Sequence, residues 1–266
     1  MCPFSRRLIN GGGAWTEAGE LVCHCLLVET KAGLVLVDTG FGMDDVRDPT
    51  RRVGPIRHLM RARFDEAETA IAQVRRLGFD PKDVRHLVLT HLDVDHAGGL
   101  SDFPWATVHL LAAEKRSAVD APSAIARRRY RETQWGHGPK WATYEPAGEP
   151  WRGFECVREL QGLPPEMLLL PLIGHTLGHA AVALESEEGW MLHCGDAYFA
   201  RPSIEPGGRL PVGLRLFQRA AAMRYEAMVA NQARLRELHA ADPELTVFCA
   251  HDPRELASLR GVEAHM

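Results

Sequence analysis

Thr90-His91-Leu92-Asp93-Val94-Asp95-His96-Ala97-Gly98-Gly99 follows directly on Val84-Arg85-His86-Leu87-Val88-Leu89. The run before it is rich in Leu and Val and reads as a buried strand. A strand that stops at a His-x-Asp-x-Asp-His cluster delivers two imidazoles and two carboxylates to one end of a sheet. Those are ligands that suit zinc and related divalent ions. Alone, such a cluster is equally well explained as a polar loop.

The same arrangement recurs downstream. Pro164 to Ile173 leads into Gly174-His175-Thr176, Trp190 to Cys194 runs into Gly195-Asp196, and Leu245 to Ala250 ends at His251. Upstream, Leu21 to Val28 and Leu34 to Val37 flank a hairpin turn, and the second run stops at Asp38-Thr39-Gly40. Each polar residue has an ordinary structural explanation by itself: a cap for His175, a turn for Asp196 or His251. The joint pattern is harder to explain that way. His91, Asp93, Asp95, His96, His175, Asp196 and His251 each follow a strand, and they suffice for two ions if one carboxylate bridges.

Between these runs, Ala67, Ala70, Ile71, Val74 and Leu77 recur at helical spacing, with Gly78 as a stop. Thr107 to Leu111 and Ala180 to Leu184 read as further strands, and a long helix is expected over Leu216 to Ala240. Strands interspersed with helices indicate a layered α/β protein. The stretch from about Ala112 to Phe154 differs. It is Pro- and Gly-rich and basic, with Arg127, Arg128, Arg129 and Arg131 close together. Tyr130, Trp135, His137, Trp141 and Tyr144 lie in it, and they are expected to form a cap-like segment over the site. The arginines read either as an attractor for an anionic substrate group or as a solvated helix face.

Composition narrows the class. Of 266 residues, 45% are hydrophobic and 25% charged, which excludes disordered, collagen-like and coiled-coil chains. A net charge of -4 gives no basic surface for nucleic acid. The longest apolar stretch, Met167 to Ile173, is interrupted by Pro171 and is too short for a membrane span. The start lacks the apolar core of a secretory signal, so a cytoplasmic protein is expected. Cysteines 2, 23, 25, 156, 194 and 249 are expected to be reduced, mostly buried thiols. His24 sits between Cys23 and Cys25, and strand alternation points it away from both.

The chain resembles the metallo-β-lactamase-fold hydrolase superfamily. The resemblance runs through Leu34-Val35-Leu36-Val37-Asp38-Thr39-Gly40, Thr90 to Gly99, Gly174-His175-Thr176-Leu177-Gly178-His179, Gly195-Asp196-Ala197 and Ala250-His251-Asp252. It implies an α/β (α+β) fold, a four-layer αββα sandwich, as a single domain over 1–266 with the 112–154 segment inserted. By resemblance, His91, position 93 and His175 hold one ion. Asp95, His96 and His251 hold the other, and Asp196 bridges. Asp38 supports a ligand histidine from behind, and His179 is a buried supporting residue.

One position departs. The family pattern is His-x-His-x-Asp-His, and here Asp93 takes the place of the second histidine. A carboxylate is a permissible ligand, but it is shorter and adds a negative charge. That favours harder ions such as Mn²⁺ or Fe²⁺ more than usual, with Zn²⁺, two ions by the family pattern, still the first expectation and a single ion left open.

The implied activity is that of a metal-dependent hydrolase, lactonase-like, using a metal-bound hydroxide on a small-molecule ester or lactone. Asp95 orients the hydroxide. Tyr198 is a candidate to polarise the substrate carbonyl, with core packing as its plain alternative. A phosphodiester or phosphonate ester is the alternative substrate, and a ligand-binding protein with poor turnover the alternative class. The expected partner is a small molecule, with no nucleic acid and no membrane, and a homodimer is left open.

Overall fold

Alternation within the short apolar runs builds two sheets. The computed structural model describes residues 1–147, 149–157, 159–187 and 189–261. Residues 148, 158, 188 and 262–266, which belong to the domain expected over 1–266, lie outside the described residues.

The first sheet contains β1 (Leu26–Thr30), β2 (Gly33–Val37), β3 (Val84–Val88), β4 (Thr107–Leu111) and β5 (Lys140–Tyr144), in that spatial order. β1 is antiparallel to β2, and the remaining pairs are parallel. The second sheet contains β6 (Met167–Pro171), β7 (Ala180–Ser186), β8 (Gly189–His193) and β9 (Thr246–Phe248). β7 is antiparallel to both β6 and β8, and β9 is parallel to β8.

Val35, Val37, Val88 and Leu111 from the first sheet share a buried cluster with Met167, Leu169, Ala180 and Val182 from the second. The alternate residues of the first sheet, among them Leu34, Leu36, Leu87 and Val108, pack on Ala70, Ile71 and Val74 of the helix Ala70–Arg76. The outer face of the second sheet, including Leu168, Leu170 and Leu192, packs with Leu235 of the helix Tyr225–Ala241. Two sheets with helices outside both give the four layers expected. Each fully buried Leu or Val contributes about 1.5–3 kcal/mol through removal from water.

Two expectations differ from what is observed. The long helix over 216–240 is two helices, Val212–Ala221 and Tyr225–Ala241. They break where Met223 N donates to His175 O (3.0 Å) and Arg224 N donates to Gly174 O (2.8 Å). Glycine is required at 174, because a Cβ there would come within 2.5 Å of Met228 Cα.

The 112–154 segment is not irregular. It carries the helix Ala124–Arg129 and then β5, the edge strand of the first sheet. Trp141 packs against the first sheet's core, and Tyr144 stacks on His109, 2.7 Å from its Nδ1. Tyr130 and Trp135 are buried, and His137 lines a surface cleft with Asp44 and Arg51. β5 escapes a reading of sequence because five residues set among Pro and Gly are too few to show a period. Among the described residues, no helix is long and apolar enough to cross a membrane.

Candidate metal centre

Strand direction gathers the polar residues. β2 and β3 run in parallel, and so do β6, β8 and β9 within their sheet. The loops leaving these ends bring all seven candidate ligands together.

His91 Nε2 lies 3.4 Å from Asp93 Oδ2, and His175 Nε2 lies 3.0 Å from the same oxygen. Asp196 turns Oδ2 toward His175 Nε2 (3.2 Å) and Oδ1 toward His96 Nε2 (3.1 Å) and His251 Nε2 (3.0 Å). Asp95 Oδ2 is 3.7 Å from His251 Nε2 and 3.8 Å from His96 Nε2. Ligands of one tetrahedral ion with bonds of about 2.1 Å stand about 3.4 Å apart.

Two subsites result. An inner one is lined by Asp95, His96, Asp196 and His251. An outer one is lined by His91, Asp93 and His175, with Asp196 between the two.

The buried atoms His91 Nε2, His96 Nε2 and Asp196 Oδ1 have no hydrogen-bond partner. Leaving such groups unpaired costs about 1–3 kcal/mol each, and a cation among them removes that cost. Two of these atoms, His96 Nε2 and Asp196 Oδ1, line the inner subsite, which therefore fits a divalent ion, with two imidazoles and two carboxylates.

The other ring nitrogens are held from behind, which orients a ligand and fixes its tautomer. His96 Nδ1 is 2.8 Å from Asp38 Oδ2, and His251 Nδ1 is 2.7 Å from Val22 O. His91 Nδ1 meets Thr90 Oγ1, which donates to Asp38 Oδ2. Asp38 also accepts from Thr90 N, and it holds a left-handed backbone with φ of 54°. Burial acts to raise its pKa, but the neighbouring histidines, His96 foremost, bring it down to about 2. His179 is buried, and its Nε2 accepts from Asp196 N at 2.9 Å while Nδ1 donates to Leu172 O. It thus stands behind the candidate ligands.

Three contributors were not assigned to this centre from sequence. Glu114 is fully buried and accepts four hydrogen bonds, from Leu92 N, Tyr130 Oη, Thr176 Oγ1 and Gly178 N. It ties the loops of both histidine motifs to the inserted segment. Cys23 precedes β1 in an extended stretch whose neighbours Val22 and His24 donate to His251 O and Ala250 O. Its Sγ groups with Asp95 and His251, all within 4.8 Å of one another. His24 turns away, as alternation suggested, and packs on Phe248.

The third is Arg129, at the end of the helix Ala124–Arg129. Its Nε donates to Asp93 Oδ1 at 2.7 Å, and its Nη2 donates to Asp93 Oδ2 and lies 2.6 Å from His175 Nε2. Burial acts to raise the pKa of Asp93, but Arg129, then His175 and His91, hold it well below the usual carboxylate range. Burial and Arg129 together bring His175 down to about 4. The departure at position 93 was the available signal. A carboxylate where an imidazole was expected calls for a cation, and the arginine cluster of the inserted segment supplies one.

Tyr198 is not brought to the substrate side. It is fully buried in the second sheet's core, and its hydroxyl donates to Glu255 Oε1 at 3.0 Å. Core packing, the plain alternative, is what surrounds it. Cys194 and Cys249 are packing thiols of the same core.

The chain is similar to known proteins along most of its length. The sequence profile of the metallo-beta-lactamase superfamily matches residues 18–251. A probable metallo-hydrolase of Mycobacterium tuberculosis is 50% identical over 252 residues, covering 94% of this chain and 81% of that protein. An N-acyl homoserine lactonase of a Bacillus species is 24% identical over 206 residues, 77% of this chain and 75% of the other. A solved N-acyl homoserine lactone hydrolase, with its product N-hexanoyl-L-homoserine bound at the catalytic metal centre, superposes with a TM-score of 0.68 at 22% identity. That match covers 97% of this chain and 92% of that one, and it speaks for the fold.

Proposed function

The chain belongs to the metallo-beta-lactamase superfamily and is a metallo-hydrolase of it, and on that premise we propose that it hydrolyses a small-molecule lactone or ester. The observation that carries the reading is the inner subsite, where buried imidazole and carboxylate atoms face one another without other partners. The lactonases among the similar proteins support a carbonyl substrate. Zn²⁺ is the first choice of ion, since the subsite mixes imidazole with carboxylate.

When bound, a divalent ion supplies Lewis acidity and makes water acidic enough to attack near neutral pH. The chain's own residues do the rest. Asp95 turns Oδ2 toward His96 and His251, so its other oxygen is available to orient water and take its proton. Arg129 Nη1 donates to Ala221 O, which holds the guanidinium beside Asp93 and His175 as a fixed positive charge. Phe199, stacked on His251 at 5.0 Å, walls the site with an apolar face.

The test is hydrolysis of a panel of N-acyl homoserine lactones, simple lactones, aryl esters, β-lactams and phosphodiesters by metal-replete protein. Lactone or ester turnover is expected. Asp95→Asn should lower kcat by about 10²–10⁴-fold, the usual weight of a positioned acid–base group, with metal still bound. Turnover confined to phosphodiesters would move the reaction to phosphorus. No turnover on the whole panel would overturn the proposal.

A further inference from the structure

We infer that the Arg129 guanidinium stands in for one of the two metal ions, so that the centre holds a single ion in the inner subsite. The inference rests on reading the rim as a metal centre, and it deepens that reading.

The outer subsite does not fit an ion as it stands. Arg129 Nη2 lies 2.6 Å from His175 Nε2 and donates to Asp93 Oδ2, so it touches two of the three groups that would ligate there. Guanidinium nitrogens only donate. His175 Nε2 either accepts from Arg129 or donates to Asp93 Oδ2, 3.0 Å away, and in neither case is its lone pair offered to an ion. Both oxygens of Asp93 are engaged by the same fork. The arginine is also anchored at the far side, where Nη1 donates to Ala221 O at the end of the helix Val212–Ala221. Carbonyls in that last turn lack partners within their own helix.

Charge points the same way. Asp93 and Arg129 cancel. A second divalent ion would have to sit against the Arg129 guanidinium, whose partner Asp93 is already paired to it, and placing like charges side by side in a buried site is costly. The substitution at position 93 has a reason in these terms: a carboxylate matches the two-pronged guanidinium, and an imidazole cannot.

The chemical consequence is a division of labour. An ion held by Asp95, His96, Asp196 and His251 would supply the Lewis acidity, and the fixed guanidinium would supply the second positive charge for a developing oxyanion. Arg129 cannot exchange with solvent ions, so excess metal should not change the charge of the outer subsite.

Metal content measured by elemental analysis after dialysis against excess Zn²⁺ tests this without reference to activity. Wild-type protein should hold one ion per chain. Arg129→Met, which keeps the apolar stem, should hold two. Should that variant fail to fold, Arg129→Lys provides the check, because a retained cation should keep the count at one. Two ions in the wild type, or one in folded Arg129→Met, or two in Arg129→Lys, would overturn the inference while leaving the metal-centre reading intact. No ion in the wild type would overturn that reading and the inference with it.

Discussion

Asp38 Oδ2 lies 2.8 Å from His96 Nδ1, and the opposite nitrogen of the same ring faces Asp196 Oδ1 at 3.1 Å. The carboxylate fixes which nitrogen of His96 is turned to the metal subsite. Asp38→Asn preserves size, and asparagine tolerates the left-handed backbone there. It removes the charge that makes the ring a better ligand. Zn²⁺ affinity is expected to fall about 10–100-fold, read by competition with a chromophoric chelator, with little change in far-ultraviolet circular dichroism. The depressed pKa of Asp38 also sets an acid limit for the metal-free protein. Its contribution to stability is present above about pH 3.8 and is lost as pH falls through about 2.

Cys23 is placed to add sulfur to the inner subsite. Burial, with Asp95 second, pushes its thiol up to about 12 in the absence of an ion, and an ion within reach would favour the thiolate. Protein loaded with Co²⁺ should show a sulfur-to-cobalt charge-transfer band in the near ultraviolet. Cys23→Ser should lose that band while retaining the ion on Asp95, His96, Asp196 and His251.

Glu114 holds two motif loops and the inserted segment through one buried carboxylate. Glu114→Ala leaves Leu92 N, Thr176 Oγ1, Gly178 N and Tyr130 Oη without their acceptor. A loss of about 3–5 kcal/mol is expected. That corresponds to roughly 6–20 °C in melting temperature, and calorimetry on the metal-free protein would show it.

Glu255 should make stability fall toward alkaline pH. Burial raises its pKa to about 7 from 4.5, against the pull of Arg201. A raised folded-state pKa means the proton is held more tightly when folded. The stabilising contribution is therefore complete below about pH 4.5 and lost as pH rises through about 7. Between those limits the wild type should lose on the order of 2–3 kcal/mol relative to Glu255→Gln. Urea denaturation of both proteins at pH 5 and pH 8 gives the comparison.

The fold and the candidate ligands were legible because the signal is local. His91, His175, Asp196 and His251 each follow an apolar run by one or two residues, and Asp93, Asp95 and His96 share the His91 loop, so strand and chemistry are read together. Arg129 and Glu114 carry no such mark. Arg129 is 36 residues from Asp93 and sits among arginines that read equally as an attractor for an anionic substrate group or as a solvated face. Only the folding of the inserted segment against the rim brings it in. Glu114 resembled an ordinary helix residue, and its four donors come from three distant parts of the chain. The helix break before Tyr225 was hidden for the same reason, since its cause is the backbone of Gly174 and His175. Tyr198 misled because nearness to Asp196 in sequence does not fix which side of the sheet a side chain takes.

Removal and return of the ion tests the central claim most directly. Protein stripped with a chelator should have lost hydrolysis of whichever lactone or ester the panel identifies. Stepwise Zn²⁺ should restore it in proportion to the ion bound, with circular dichroism unchanged throughout. Activity that survives complete removal of the metal, or that fails to track its return, would contradict the account.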